Sequence, residues 1–458
     1  MIGASPPDPR AGAVSPDALL SRELGVRQLA ANVFNYTVGS GIFVLPALAV
    51  VNLGTAAPLA YLVCAVVIGL VVLCFAEAGS RVSATGGPYA YVETALGPMA
   101  GFFAGCLVLS TGTSAAAAVS SVLAESILTL FPKAPWWMTD VLIVLLVSTL
   151  VAINVRGVRS GARVIEAVTV AKLLPLLAFV FIGVFFIEPE NLVWTQVPEV
   201  STVLSTAGVV IFAFSGIEGS LIPSGEVKNT ARTVPRAALL ALAAATALYL
   251  AIQFVALGIQ GLALGEDRTT PLASAFGKVL GPIGHTILVA GAVVSMFGYL
   301  SANVLSEPRG LFALSRDGFL PRALTYVHPK FHTPNVAIVL YGIVVGIIAL
   351  SGTFEKLAVF ANLAALLLYG LCAISAMVLR RRKVRADGDP FEPPGGPLIP
   401  IAACVGIAWV FIETAQPMQL AWLIGVLALI FVLYWLRMWR LRKRAVSAPK
   451  PPGPGVAH

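Results

Sequence analysis

The chain has 458 residues, 58% of them hydrophobic and 11% charged, with a mean hydropathy of +0.90. Soluble domains carry about 25% charged residues, so a globular cytosolic enzyme, a disordered protein and a secreted disulfide scaffold are excluded. The formal net charge of +8 does not mark a nucleic-acid binder, because the basic residues fall between apolar segments in a pattern that orients a membrane protein.

Residues 1–27 are polar and rich in Pro and Ala, with no short apolar core ahead of a cleavage site. They read as a disordered cytoplasmic tail, not a signal peptide. A spanning helix takes about 20 mostly apolar residues. Twelve such runs follow, at 28–51, 56–80, 98–130, 138–155, 162–187, 201–223, 236–261, 283–312, 335–352, 355–379, 398–415 and 419–438. The expected fold class is therefore an all-α polytopic membrane protein. Its expected domains are a core over 28–380 (28–190 and 200–380), a cytoplasmic loop over 381–397, two further helices over 398–440 and a second tail over 441–458. With the N-terminus inside, almost all of the 30 basic residues fall on the cytoplasmic side. Only Lys133, Arg268, Lys278 and Lys356 lie outside, and Lys172 lies within a span. Both termini are expected in the cytoplasm. The five cysteines sit in apolar runs and the four histidines lack metal-ligand spacing, so no metal or cofactor is expected.

The first span carries Val38-Gly39-Ser40-Gly41-Ile42-Phe43. Each Gly weakens a helix by about 1 kcal/mol relative to Ala, and at 1.5 Å per residue from Arg27 Ser40 lies about 20 Å deep in a core about 30 Å thick. Broken backbone at that depth must be buried in protein or line a cavity. The alternative is a packing face of small residues. Glu77 and Arg81 in the second span read as an ordinary i,i+4 pair. In the third span, Gly112 and Ala115 to Ala118 leave pocket size open, and Glu125 fits an extracellular vestibule. Lys172, in the fifth span, lies about 14 Å beyond Arg163 by helical rise. It either binds carbonyls or a carboxylate, loses its proton, or faces a hydrated vestibule.

The sixth span repeats the first span's break. Phe212-Ala213-Phe214-Ser215-Gly216-Ile217-Glu218-Gly219 joins small residues to a carboxylate. Glu218 is expected to gate, to titrate or to hold the two breaks together. Leu96-Gly97-Pro98 before the third span returns as Leu280-Gly281-Pro282 before the eighth. Both echoes are five spans apart, an odd number, so the second copy enters from the other side and the repeat is inverted. Asn303, Asn362 and Tyr369 either line a pocket or tie helices together, and Ser295 and Ser301 could face Lys172. A half-helix beginning near Ser40 presents N–H groups to a carboxylate, while half-helices ending near Thr37 and Ser215 present carbonyls to an ammonium group. Such a site suits a zwitterion.

Gly39-Ser40-Gly41-Ile42-Phe43, Phe212 to Glu218, Thr85-Gly86-Gly87-Pro88-Tyr89, the Glu226 to Ala237 loop and Arg316-Asp317-Gly318-Phe319-Leu320-Pro321 resemble the amino acid–polyamine–organocation superfamily of permeases over about 28–440. The resemblance implies twelve helices in a five-plus-five inverted repeat with the first and sixth unwound. It also implies carboxylate binding around Gly39, Ser40, Gly41 and Ile42, and amine binding at carbonyls near Thr37, Phe212, Ser215 and Gly216. Phe212 is then an aromatic gate, and Lys172 is similar to a fifth-helix lysine that replaces a sodium ion in some members. Asn303 stands where arginine/agmatine exchangers carry an aromatic, a departure from that subgroup.

The expected function is secondary transport of an amino acid across the cytoplasmic membrane by alternating access. Lys172 or Glu218 would couple it to protons; the alternative is an amino acid (or amino acid/polyamine) exchanger without net ion coupling. The expected partners are the amino acid, protons and the lipid bilayer, with no nucleic acid, and the chain would act as a monomer or homodimer. A channel or sensor would need selectivity rings from oligomer symmetry. An intramembrane enzyme would need paired acids or a Ser/His constellation in the spans, and the sequence displays none of these.

Overall fold

A computed structural model describes residues 24–447 except 85, 129–130, 132, 157–161, 195–196, 223, 225–226, 332, 353 and 387. Thr85, Glu226, His332 and most of both expected tails lie outside the described residues.

Helix α1 (Val26–Thr37) and α2 (Gly41–Leu53) are separated by Val38 to Ser40. They are followed by α3 (Pro58–Arg81), α4 (Pro88–Leu96), α5 (Pro98–Leu128), α6 (Met138–Val155) and α7 (Ala162–Gly183). Next come α8 (Val200–Phe214), a single turn α9 (Ile217–Ser220), α10 (Thr230–Gln260) and α11 (Pro271–Arg316). The chain closes with α12 (Asn335–Ser351), α13 (Phe354–Arg381), α14 (Leu398–Thr414) and α15 (Pro417–Ser447). Among the described residues there is no strand, only a parallel bridge between Leu24 and Val227. Chain order begins within the stretch read as the N-terminal tail, since α1 starts at Val26.

Among the described residues, eight helices are long and apolar enough to cross a membrane, and a ninth is formed if α1 and α2, bent by 47°, make one span. Shorter apolar helices occupy Val170–Phe186, Asn335–Ser351 and Leu398–Thr414. Helices dominate because a backbone in hydrocarbon must satisfy its own hydrogen bonds. Between such helices there is no water to exclude, so close packing does the holding and small residues are favoured at contacts. Helix α5 follows that rule: its Thr111 to Ala124 stretch is buried and built from Thr, Gly, Ser, Ala, Val and Leu. Its apolar window is 78% buried, against 22% for α6 and 18% for α15, which puts α5 at the centre and the other two at the rim.

Two helices missed in the sequence, α4 and the first turns of α11, share one design. Each begins with Pro and ends at a Gly–Pro step, where Gly97 (φ 93°) and Gly281 (φ 65°) turn the chain before Pro98 and Pro282 start the long helix. The positive φ suits Gly, and Pro fits a first helical position. The contacts also cross over, because α1 packs on α9 while α2 packs on α8. This pairing brings the two interruptions together.

Candidate functional site

Helix α1 stops because Val38 leaves helical geometry (φ −81°, ψ 80°), and α2 restarts from Ser40. Helix α8 stops at Ser215, and Gly216 takes φ 120° before α9. The two interruptions interlock. A Cβ on Gly41 would lie 2.7 Å from Ala213 Cα, and one on Gly216 would lie 2.8 Å from the Tyr36 carbonyl oxygen. Gly at both positions therefore lets backbone touch backbone. Small-residue packing accounts for Gly41, but not for Ser40, whose buried Oγ has no hydrogen-bond partner. It sits at the start of α2, where the first N–H groups have no intrahelical acceptor.

The carbonyl end of α1 is heavily engaged. Lys172 Nζ, fully buried on α7, donates to the carbonyls of Asn35 and Val38, both at 2.7 Å. Ser295 Oγ on α11 donates to the same Val38 carbonyl at 3.2 Å. An ammonium on the carbonyl end of a helix is favoured by charge-assisted bonding and by the helix dipole. No carboxylate pairs with Lys172 among the described residues. Thr37 turns its own Oγ1 back to the Val33 carbonyl at 2.8 Å, leaving its carbonyl for others. That carbonyl lies 2.8 Å from Tyr249 Oη, which is also 2.8 Å from the Ala213 carbonyl. One phenol on α10 thus bridges the ends of α1 and α8.

Glu218 Oε2 accepts from the Gly216 N–H at 3.0 Å and from Tyr369 Oη at 2.9 Å. The carboxylate caps the second interruption and ties it to α13. Phe212 packs edge-on against Phe354, with ring centroids 5.4 Å apart. Ile42 is fully buried, and Ser215 Oγ donates to the Ile211 carbonyl. Gly39 faces the Tyr299 ring.

Among the described residues no hydrogen bond joins Asn303 to the interruptions. Its Nδ2 donates to the Gly112 carbonyl at 3.2 Å and its Oδ1 accepts from Tyr341 Oη at 2.7 Å, joining α5, α11 and α12. The aromatic of α11 beside the first interruption is Tyr299, one turn earlier. Asn362 likewise donates to the Gly208 carbonyl. A groove of about 540 Å³ opens elsewhere, among Leu59, Val63, Trp194, Leu204 and Trp409, and touches none of the site residues.

Sequence reasoning missed Tyr249 and Tyr299, since which face of a uniformly apolar helix turns inward is not encoded in its pattern, and it missed Glu307, which Pro308 and Arg309 make look like part of a helix boundary. It also undervalued Glu77. This fully buried carboxylate receives Arg81 and both Nε and Nη2 of Arg380, while Arg81 continues to Glu392 at 2.9 Å. The pair read as ordinary is the centre of a cluster holding α3, α13 and the following loop. A second contact group joins Tyr89 Oη to Asp317 and sets the Arg437 guanidinium 3.5 Å over the Phe319 ring. Burial, with Glu93 and Asp317 beside it, pushes the Tyr89 phenol well above its ordinary value, so it remains a donor.

Among the described residues, apolar helices in this number mark a multi-pass, all-helical membrane protein. The amino acid permease model matches residues 24–436, and the chain belongs to that family, within the amino acid–polyamine–organocation superfamily. It is 26% identical to the branched-chain amino acid permease BcaP of Bacillus subtilis, over 95% of this chain and 96% of that protein. It is 28% identical to the serine/threonine exchanger SteT of the same organism, over 86% and 91%. A methylthioribose transporter from B. subtilis is also 28% identical, over 85% and 88%.

Proposed function

We propose that the chain is a secondary active transporter that carries an amino acid across the cytoplasmic membrane by alternating access, with proton-coupled uptake. The observation that carries this reading is the pair of interlocked interruptions, with an ammonium seated on the carbonyl end of the first. Twelve spans in a five-plus-five inverted repeat, with both termini cytoplasmic, accommodate the nine candidate spans and three shorter apolar helices. The matching Gly–Pro bends at Gly97 and Gly281 support the repeat. Two broken helices in corresponding halves are the arrangement that builds a midplane substrate site.

In this reading the substrate carboxylate takes the unpartnered Ser40 Oγ and the N–H groups of Gly41 and Ile42. Its ammonium group takes carbonyls at the ends of α1 and α8, near Thr37, Phe212 and Ser215. Lys172 supplies a positive charge where a coordinated cation would otherwise hold α1, which frees transport from sodium. Phe212 on Phe354 covers the site, and Glu218 fixes the second interruption. In the proposed cycle, opening of the site parts Gly41 from Ala213 and Gly216 from Tyr36. A second reading, exchange without net ion coupling, is favoured by the name of SteT as an exchanger. The acting unit is a monomer or homodimer.

The test is uptake into proteoliposomes of each proteinogenic amino acid and of common polyamines, with and without an inward proton gradient. Saturable, gradient-stimulated uptake of an amino acid is expected. Uptake that needs internal amino acid and ignores the gradient selects exchange, and no uptake of any of them by inserted protein refutes transport of this class. Replacing Ser40→Leu together with Gly41→Leu should abolish binding while leaving the protein inserted; unchanged uptake would place the site elsewhere.

A further inference from the structure

One buried carboxylate has no part in the arrangement above. Glu307, on α11, is 3% exposed and its Oε2 has no hydrogen-bond partner. Among the described residues no lysine or arginine pairs with it. From α5 it is met by Gly112, which carries no titratable group and where a Cβ would overlap the carboxyl group. From α9 it is met by Gly219, whose Cβ would stand 3.7 Å from Oε1, with Glu218 next in the chain and within electrostatic reach. Tyr36 of α1, Tyr341 of α12 and Tyr299 of its own helix lie within electrostatic reach as well. Arg309 acts on Tyr36 from one turn of α11, and Tyr369 of α13 is spent on Glu218.

An ionised carboxyl group in such surroundings is costly unless something neutralises it, and a second acid at close quarters adds to that cost. A metal ion or an ammonium group would need open space and several oxygen ligands. The backbone of Gly112 closes one side of the group, and the neighbours are phenols and a second acid. A proton needs no space, and the orphaned Oε2 is a ready place for it.

We propose that Glu307 is a proton-binding site of the transport cycle, separate from Lys172 and reached when the cytoplasmic halves of the broken helices part. The inference rests on the transporter reading above. Its route to the site is short. Tyr36, one residue before Thr37, donates to Ser306 Oγ at 2.6 Å and contacts the Ala302 carbonyl at 3.1 Å. Its ring also packs beside Gly219. A charge appearing on Glu307 therefore acts next to the hydrogen bonds that fasten α1 to α11. Releasing the proton loosens that fastening, and gaining it restores the closed contact.

The experiment compares wild type, Glu307→Gln and Lys172→Ala in proteoliposomes, using a radiolabelled mixture of L-amino acids. The readout is each variant's own ratio of uptake with an inward proton gradient to uptake without one, so a general loss of activity cancels. Glu307→Gln, which fixes the neutral form, should lose the stimulation and bring the ratio to unity. A Glu307→Gln ratio equal to that of wild type overturns the proposal. Wild type that moves no amino acid defeats the transporter reading instead. In that case, or if Glu307→Gln is inactive, the melting temperature of the purified proteins across acidic to alkaline pH decides. A step present in wild type and missing in Glu307→Gln supports proton binding at Glu307, and superimposable profiles overturn it.

Discussion

Tyr249→Phe removes a single oxygen from the point where the two interruptions meet. The Tyr249 hydroxyl lies 2.8 Å from both the Thr37 and the Ala213 carbonyls. It has one proton, so it serves one of them at a time at full strength. Thr37 keeps a second donor without it, the Gly39 N–H at 3.0 Å. The loss therefore falls mainly on the Ala213 carbonyl, which sits at the end of α8. An unsatisfied buried acceptor costs about 1–3 kcal/mol, and the second lone pair and local adjustment favour the lower half of that range. About 1–2 kcal/mol corresponds to a factor of about 5–30 in an equilibrium constant. Because the phenol fastens α1 to α8 where the interruptions meet, the shift should appear as a weaker contact between the two helices. Phe keeps the ring contacts with Tyr61 and Phe214, so packing is preserved. Two assays read the effect: thermal unfolding of the purified protein, expected at lower temperature, and the apparent affinity in counterflow, expected to change by about the same factor. If both stay at wild-type values, the bridging phenol holds nothing and the interruptions are kept together by backbone packing alone.

Lys172→Ala deletes two 2.7 Å bonds to the Asn35 and Val38 carbonyls, and is expected to change or abolish the pH dependence of uptake; an unchanged pH profile makes the lysine structural. Gly216→Ala places a side chain at φ 120° and a Cβ 2.8 Å from the Tyr36 carbonyl oxygen. Strain of about 1–3 kcal/mol plus that collision should lower thermal stability and uptake together, and normal uptake at normal stability would refute the interlock. Glu77→Gln leaves Arg81 and Arg380 short of a counter-charge. Breaking a buried pair costs about 3–5 kcal/mol, and the lower end applies because Arg81 keeps Glu392 and the Val384 carbonyl. Melting of the purified variant should fall clearly below wild type, and an unshifted transition would show that the cluster is already solvated.

What the sequence could reveal depended on whether a residue broke a pattern. Gly39-Ser40-Gly41 and Ser215-Gly216 stand out in apolar runs because glycine weakens helices, and the backbone interruptions fall on those residues. Lys172 and Glu218 stand out because charge in a span is expensive. Tyr249 and Tyr299 break nothing: an aromatic in an apolar run looks the same whether it faces lipid or a neighbouring helix, and helix phase is what separates the two. Glu307 carried a readable signal, an acid several residues inside the run 283–312, but Pro308 and Arg309 beside it resemble a cytoplasmic boundary. The short helices at 88–96 and 271–280 were readable too, as Pro at the start and Gly–Pro at the end. The competing accounts of the first interruption, packing face or binding site, weigh differently at its two residues. Gly41 is needed for contact with Ala213, yet contact alone gives no reason for a buried hydroxyl without a partner at Ser40. A packing motif would be better served there by Ala, which leaves no polar atom unsatisfied. Ser40→Ala therefore separates the two: as a packing residue it should be neutral or stabilising, and as a ligand contact it should weaken substrate binding without loss of stability.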